Sequence, residues 1–496
     1  MEEEKIGRFG SLMPKSGSDL PFRRTLVANR LLRTNGNILP GLPTAWAVIT
    51  SPRMPRRPFA YRHRPEDGGG GIAEPYRGRC LAGASSVIAL PNSIAISSMT
   101  LWSRQGAVLG ACTLAFFATM AGRLVISPVV PFISDAFAVP NGAIGLALTG
   151  MWLGYALAQF PSGLLADRYG ERRIILVAVG GTAVASTLLA LAPSYPVFLV
   201  GTAVLGTLAG LHYSVATSLL TRTTDRIGTA IGIHTAGAPV AGVLVPMAAG
   251  AVGVWMGWRW ALALGTAFAI PVAGLVVYVV RARPPVRPEQ SVWSRFRVGP
   301  LVELLRRPPI ARTVVLSAVG MFVWQATASF LPTFFVAHHG YSEATAGTLF
   351  SAYFLVQGVT QPGLGALSDR IGRDAAASLS VGVGIVGYGL LVAGTGLATA
   401  SVAVACAGLS MGWGAALMPK FMDHLDEHER SAGFGLIRTV YMVLGASGSV
   451  VTGVVADLFG WGAAFLGMTL LLVGMLGMLL RSTVQSQGAQ RVPATP

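Results

Sequence analysis

The stretch PSGLLADRYGERR (161–173) returns as QPGLGALSDRIGRD (361–374), and Gly163, Asp167, Arg168 and Gly170 each stand 202 residues before Gly365, Asp369, Arg370 and Gly372. A second mark agrees, because Gly250, Gly257 and Trp258 return as Gly453, Gly460 and Trp461 at an interval of 203. Two marks in one register make the chain a duplication, so its fold must consist of two related halves. Each copy of the loop follows one long apolar segment and precedes another, as a tight turn between two helices in lipid would. Gly163 and Asp167 lie four apart and share a helix face. The glycine admits a close neighbour, and the carboxylate can then meet an arginine or the free amides of a neighbouring helix N-terminus. Gly170 and Gly372 end their helices, and Arg172 stays on the water side.

Composition says what surrounds those helices. Of 496 residues 52% are hydrophobic and only 12% charged, about half the charged share of a soluble domain, and mean hydropathy is +0.59. This is the composition of an integral membrane protein. The 62 glycines suit helices that pack through small residues, and no strand-like alternation supports a barrel. The net charge of +16 sits in short loops and a tail rather than on one face, so a nucleic-acid partner is not expected. Cys80, Cys112 and Cys406 are too scattered for a disulfide framework or a metal site. No phosphate-binding G-x-x-x-x-G-K-[ST] loop exists and no nucleophile–base constellation is present, so neither an enzyme nor a cofactor is expected.

Residues 1–98 are polar and rich in Arg, Pro and Gly, with an acidic start (Glu2, Glu3, Glu4) that fits no signal peptide. They read as a disordered extension, with translation expected to begin at Met99; mass spectrometry of the N-terminus checks this. Apolar segments follow at about 106–133, 143–166, 174–192, 195–220, 229–254 and 258–280, then at about 310–336, 343–367, 375–394, 398–419, 431–456 and 461–480. Each suits a hydrocarbon core of about 30 Å. The expected units are a six-helix half (99–281), a polar linker (282–309), a second half (310–481) and a disordered tail (482–496). Arg168, Arg172, Arg173, Arg222, Arg226, Arg370, Arg373 and Arg430 share one side with the linker arginines, so both termini are expected in the cytoplasm.

The paired G-x-x-x-D-R-x-G loops resemble the cytoplasmic loop signature of the major facilitator superfamily, between helices 2 and 3 and again between helices 8 and 9, and the resemblance extends over residues 100–481. It implies an all-α integral membrane fold of twelve transmembrane helices in two six-helix halves, multi-pass in the plasma membrane and monomeric. The halves would rock about a central cavity lined by helices 1, 4, 7 and 10. Glu171 and Asp374 occupy slots that are usually basic in that family. The expected cytoplasmic latch is Gly163, Asp167, Arg168, Gly170 and Arg172, with Gly365, Asp369, Arg370 and Gly372 as the weaker set.

Polar residues at depth are then candidates, because an ionisable group in lipid costs a few kcal/mol unless it meets a wet cavity or a partner. Arg123 lies roughly 25 Å along helix 1; it either binds an anionic group through its fork of donors or ties helix 1 to a neighbour. His212 and Tyr213 on helix 4, Trp324 and Gln325 on helix 7 and Trp413 on helix 10 are the other cavity candidates. For each the alternative is ordinary packing. Tyr353 and Tyr441 are further lining groups, and His234 and Arg438 are expected at a gate. The carboxylates Asp135, Asp167, Asp225, Asp369 and Asp457 all fall at helix ends or loops, which argues against export of cationic drugs. Thr202 stands where the family's exchangers carry an arginine four before Gly206, and Pro239 in GAPVAG departs from their Gly-Pro pair.

The expected function is secondary transport of a small organic solute, anionic or neutral, by alternating access. Protons are the candidate coupling ion and His212 the candidate carrier; the partners are the solute and the bilayer. The alternatives are a multidrug efflux permease with a Met-rich cavity and a transporter-like membrane sensor. If the loop is a latch, Asp167→Asn lowers the transport rate severalfold with little change in ligand affinity, which paired uptake and equilibrium-binding assays measure.

Overall fold

The computed structural model describes residues 104–289, 299–426 and 430–490; the expected extension at 1–98, with Met99 and Cys80, lies outside them. Among the described residues all regular structure is helical, as lipid demands of a chain that must satisfy its backbone within each segment. The helices are α1 (Arg104–Phe137), α2 (Asn141–Tyr169), α3 (Glu171–Ala190), α4 (Tyr195–Thr221), α5 (Ile227–Met256) and α6 (Trp258–Val279). After a short linker helix, Gly299–Arg306, come α7 (Pro308–His339), α8 (Glu343–Ile371), α9 (Arg373–Ala393) and α10 (Leu397–Asp423). The last rod, Arg430–Gln490, bends at Gly460 into α11 (430–459) and α12 (461–490).

Ten segments are long and apolar enough to cross a membrane. The bend at Gly460 splits one of them, and α8 is the rod that the apolarity test omits. Ser351, Gln357, Thr360 and Gln361 on α8 account for that. The tail expected from 482 is helical as far as Gln490. Ser482 Oγ donates to Asp374 at 2.7 Å, which holds the start of this stretch to α9; residues 491–496 lie outside the described residues.

Both repeat marks turn out to be turns. Gly170 and Gly372 have φ of 91° and 93°, and Gly257 and Gly460 have 93° and 84°, values a side chain would strain. A third pair of related features is a break inside a helix. α4 is interrupted after Gly210 and α10 after Ser410, which puts His212 and Trp413 at the start of corresponding half-helices.

Glycine sets the spacing of the rods. A Cβ on Gly206 would sit 1.9 Å from the Met151 carbonyl oxygen and one on Gly210 2.5 Å from that of Tyr155, so α4 lies directly on α2. α2 also meets α11, where a Cβ on Gly145 would fall 2.5 Å from the Ser449 carbonyl and one on Gly453 2.4 Å from that of Asn141. Asp457 finishes this second contact. Its carboxylate accepts from the Asn141 and Gly142 amides at 3.0 and 2.6 Å, capping the α2 N-terminus. Thr149 adds a bond to the Ala446 carbonyl at 2.9 Å, and Ser127 of α1 donates to the Ala328 carbonyl of α7. The two halves are thus joined at the end opposite the repeated loops.

The loop end differs from expectation. The capping foreseen for Asp167 is made by Asp457 at the other end, and among the described residues the Asp167 carboxylate has no ion pair; its carbonyl accepts from the Arg287 amide at 2.9 Å. Arg168 lies 5.3 Å from the Tyr169 ring centroid, while Arg172 donates to the Val277 carbonyl at 2.7 Å. The second copy carries the denser pairing: Arg373 with Asp369 at 2.5 Å and Asp423 at 3.7 Å, and Lys420 with Asp374 at 2.5 Å. The pairing at this loop thus falls to Arg373 rather than Arg370, because Arg373 faces Asp369 and, across the turn, Asp423 of α10. Glu171, in its unusual slot, pairs with Arg222 at 3.5 Å.

Because Gly206 has no room for a side chain, Gly206→Val forces α4 off α2. The expected cost is about 1–3 kcal/mol, read as a lower thermal midpoint of the purified protein.

Candidate functional site

A cavity of about 580 Å³ lies among α1, α4, α5, α7, α8, α10 and α11, toward the loop end, where Gln361, Pro419 and Phe434 line it. A second space of about 700 Å³ reaches Thr217, Ile231 and Met422, and the two share Tyr213, Phe434, Arg438 and Met442. Of the six expected cavity residues, Tyr213, Trp324 and Trp413 line the first space. Tyr441 lines it as well, whereas Tyr353 is fully buried.

The other three candidates stand behind the wall. Gln325 is fully buried, with its amide 3.5 Å from the Met442 carbonyl on α11. One residue along a helix is a rotation of about 100°, so Trp324 and its neighbour cannot both face the cavity. His212 is buried where the break in α4 presses it on α1, with Nε2 3.2 Å from the Cys112 carbonyl and Nδ1 unpartnered. Arg123 is 1% exposed.

The arginine is held by aromatic faces and backbone. Its Nε donates to the Thr119 carbonyl at 3.2 Å, and its guanidinium carbon lies 3.9 Å from the Tyr155 ring centroid and 5.1 Å from that of Trp152. One guanidinium nitrogen has no partner. Trp152 stacks edge-on against Trp324 at 5.2 Å, whose indole N–H donates to Gln357 at 3.3 Å. A continuous aromatic path therefore runs from Arg123 to the cavity wall.

His234 and Arg438, expected at a gate, are drawn into this same region. His234 is buried with both ring nitrogens unpartnered. It packs 5.2 Å from Phe116, 5.5 Å from His212 and 5.9 Å from Tyr213. Arg438 lines both spaces with its guanidinium carbon 4.5 Å from the Tyr213 centroid, and Tyr441 and Tyr155 lie near it too. No Asp or Glu is among the described residues that line either space. Tyr155 and Trp152 were not anticipated, because they sit on α2, outside the helices the resemblance assigns to the cavity. A tyrosine about two turns before Gly163 on the helix that faces Arg123 was the available signal.

The model of the Major Facilitator Superfamily matches residues 112–419 and 313–495. An uncharacterized MFS-type transporter of Mycobacterium tuberculosis is 28% identical over 193 residues, 38% of this chain and 33% of that protein, so the match spans a third of that relative's length. A probable 4-methylmuconolactone transporter of Cupriavidus pinatubonensis is 25% identical over 349 residues, 68% of this chain and 80% of that protein. Among solved structures, an inward-facing, unoccupied bacterial homologue of the human lysosomal transporter Spinster superposes with a TM-score of 0.66 at 18% identity. That alignment covers 76% of this chain and 96% of the other.

Chemically the cluster is a set of donors and ring faces with positive charge and no counter-charge. Cation–π contact is worth about 0.5–2 kcal/mol, less than the several kcal/mol that desolvating a guanidinium costs. Arg123 is therefore a net burden on the ligand-free fold. Arg123→Met is expected to raise the thermal midpoint of the ligand-free protein, by about 1 kcal/mol or more; a lowered midpoint would mean that Arg123 is a structural tie.

Proposed function

This chain belongs to the Major Facilitator Superfamily, and from that premise we propose that it carries a small organic anion across the membrane by alternating access. One observation carries the reading. Arg438 lines the cavity beside Tyr213, Arg123 stands behind its wall, and no carboxylate is among the described residues that line the space. An anion entering there supplies the counter-charge that the protein withholds, and a guanidinium offers it paired donors. Contacts between the halves at the end opposite the loops, with the cavity toward the loop end, support reading this conformation as one of the two accessible states.

In this reading the loop end faces the cytoplasm with both termini, in the plasma membrane. Halves 99–281 and 310–481 move about the linker 282–309, and the unit is a monomer. Protons couple transport through His212, whose ring lies 5.5 Å from that of His234. The latch at Asp167 and Arg168 engages in the other state.

The test is thermal stabilisation by organic anions, neutral sugars and lipophilic cations. A ligand at 100 times its Kd stabilises by about 2.7 kcal/mol. Anions are expected to stabilise the wild type and to lose that effect in Arg123→Ala and Arg438→Gln. Equal stabilisation of all three proteins by lipophilic cations would replace this reading with multidrug efflux.

A further inference from the structure

The cavity has two chemical faces. Tyr213, Arg438 and Tyr441 come from α4 and α11, whereas Trp324, Phe354 and Trp413 come from α7, α8 and α10. The aromatic face is built rigidly. A Cβ on Gly320 would lie 2.4 Å from the Trp413 ring, and one on Gly242 2.2 Å from the Phe354 ring, so both rings are pressed onto a neighbouring helix where only glycine fits. Trp324 is braced by Trp152 at 5.2 Å and Phe354 at 6.4 Å. A fixed wall of ring faces selects shape and does not merely exclude water.

From this two-faced lining we infer that the cavity takes a compact amphipathic organic monoanion, with its carboxylate at Arg438 and an aryl body against Trp324, Phe354 and Trp413. The inference rests on the organic-anion reading and narrows it. A small hydrophilic anion would satisfy Arg438 but leave the aromatic wall wet. A neutral aromatic would fill the wall but leave the guanidinium without a counter-charge. The volume of about 580 Å³ lies in the range of cavities that enclose small organic ligands.

The deciding experiment is isothermal titration of the full chain in lipid nanodiscs, with empty nanodiscs subtracted. The probes are propionate, succinate, 3-phenylpropionate, 3-(indol-3-yl)propionate and the neutral 3-phenylpropanamide. The aryl acids are expected to bind at least tenfold more tightly than propionate or succinate, and 3-phenylpropionate at least tenfold more tightly than its amide. In Phe354→Leu the advantage of 3-phenylpropionate over propionate is expected to shrink at least threefold. The wild-type series decides even if that variant does not fold. Succinate binding as tightly as the aryl acids leaves the organic-anion reading standing and overturns the amphipathic ligand, as does a lack of binding by both aryl acids. The amide binding as tightly as the acid overturns the anion reading itself.

Discussion

Close approach of helix backbones at glycine is the contact on which this bundle depends. Lipid tails are as apolar as the side chains they touch, so no hydrophobic difference drives two helices together, and packing must do it. α2 is the helix held most closely, by Gly206 and Gly210 of α4 on one side and by Gly453 of α11 meeting Gly145 and Asn141 on the other. The Asp457 carboxylate then caps its N-terminus across the boundary between halves. The same clamped helix presents Trp152 and Tyr155 to Arg123. Rigid packing and the electrostatics of the site are therefore one piece of construction.

That arrangement gives the two arginines different work. Arg123 is sealed behind aromatic rings with one nitrogen unpartnered, while Arg438 reaches the cavity beside Tyr213 and Tyr441. Ring faces return only part of the desolvation cost, so both retain attraction for an anion. The buried His212 and His234 lie on the α1 side of the same cluster, packed on Phe116.

Much of this was legible in residues. Gly170 and Gly372, in the loops read as turns, do turn with positive φ, and Gly257 and Gly460, read only as a repeat mark, turn as well. Tyr213, Trp324 and Trp413 line the cavity. Gln325 did not, since its position around α7 aims it at α11. Asp167 and Asp457 both offer a carboxylate at a helix end, and which one meets a helix N-terminus depends on which end of the bundle is closed. At the second loop Arg373, and not Arg370, pairs with Asp369, because α10 brings Lys420 and Asp423 to that turn.

The sequence by itself determined that this chain is a duplicated, all-helical membrane protein, because the repeat interval and the length of the apolar runs are properties of order along the chain. It also determined that no carboxylate lies at mid-depth, since none is present there to be folded in. Only the tertiary structure decided which polar groups meet. Tyr155 meets Arg123, Tyr213 meets Arg438, His234 joins His212, and Gln325 turns away, because those outcomes depend on the rotation and closeness of helices that are far apart in sequence. Glycine sets that closeness, and its effect is felt only when a second helix arrives.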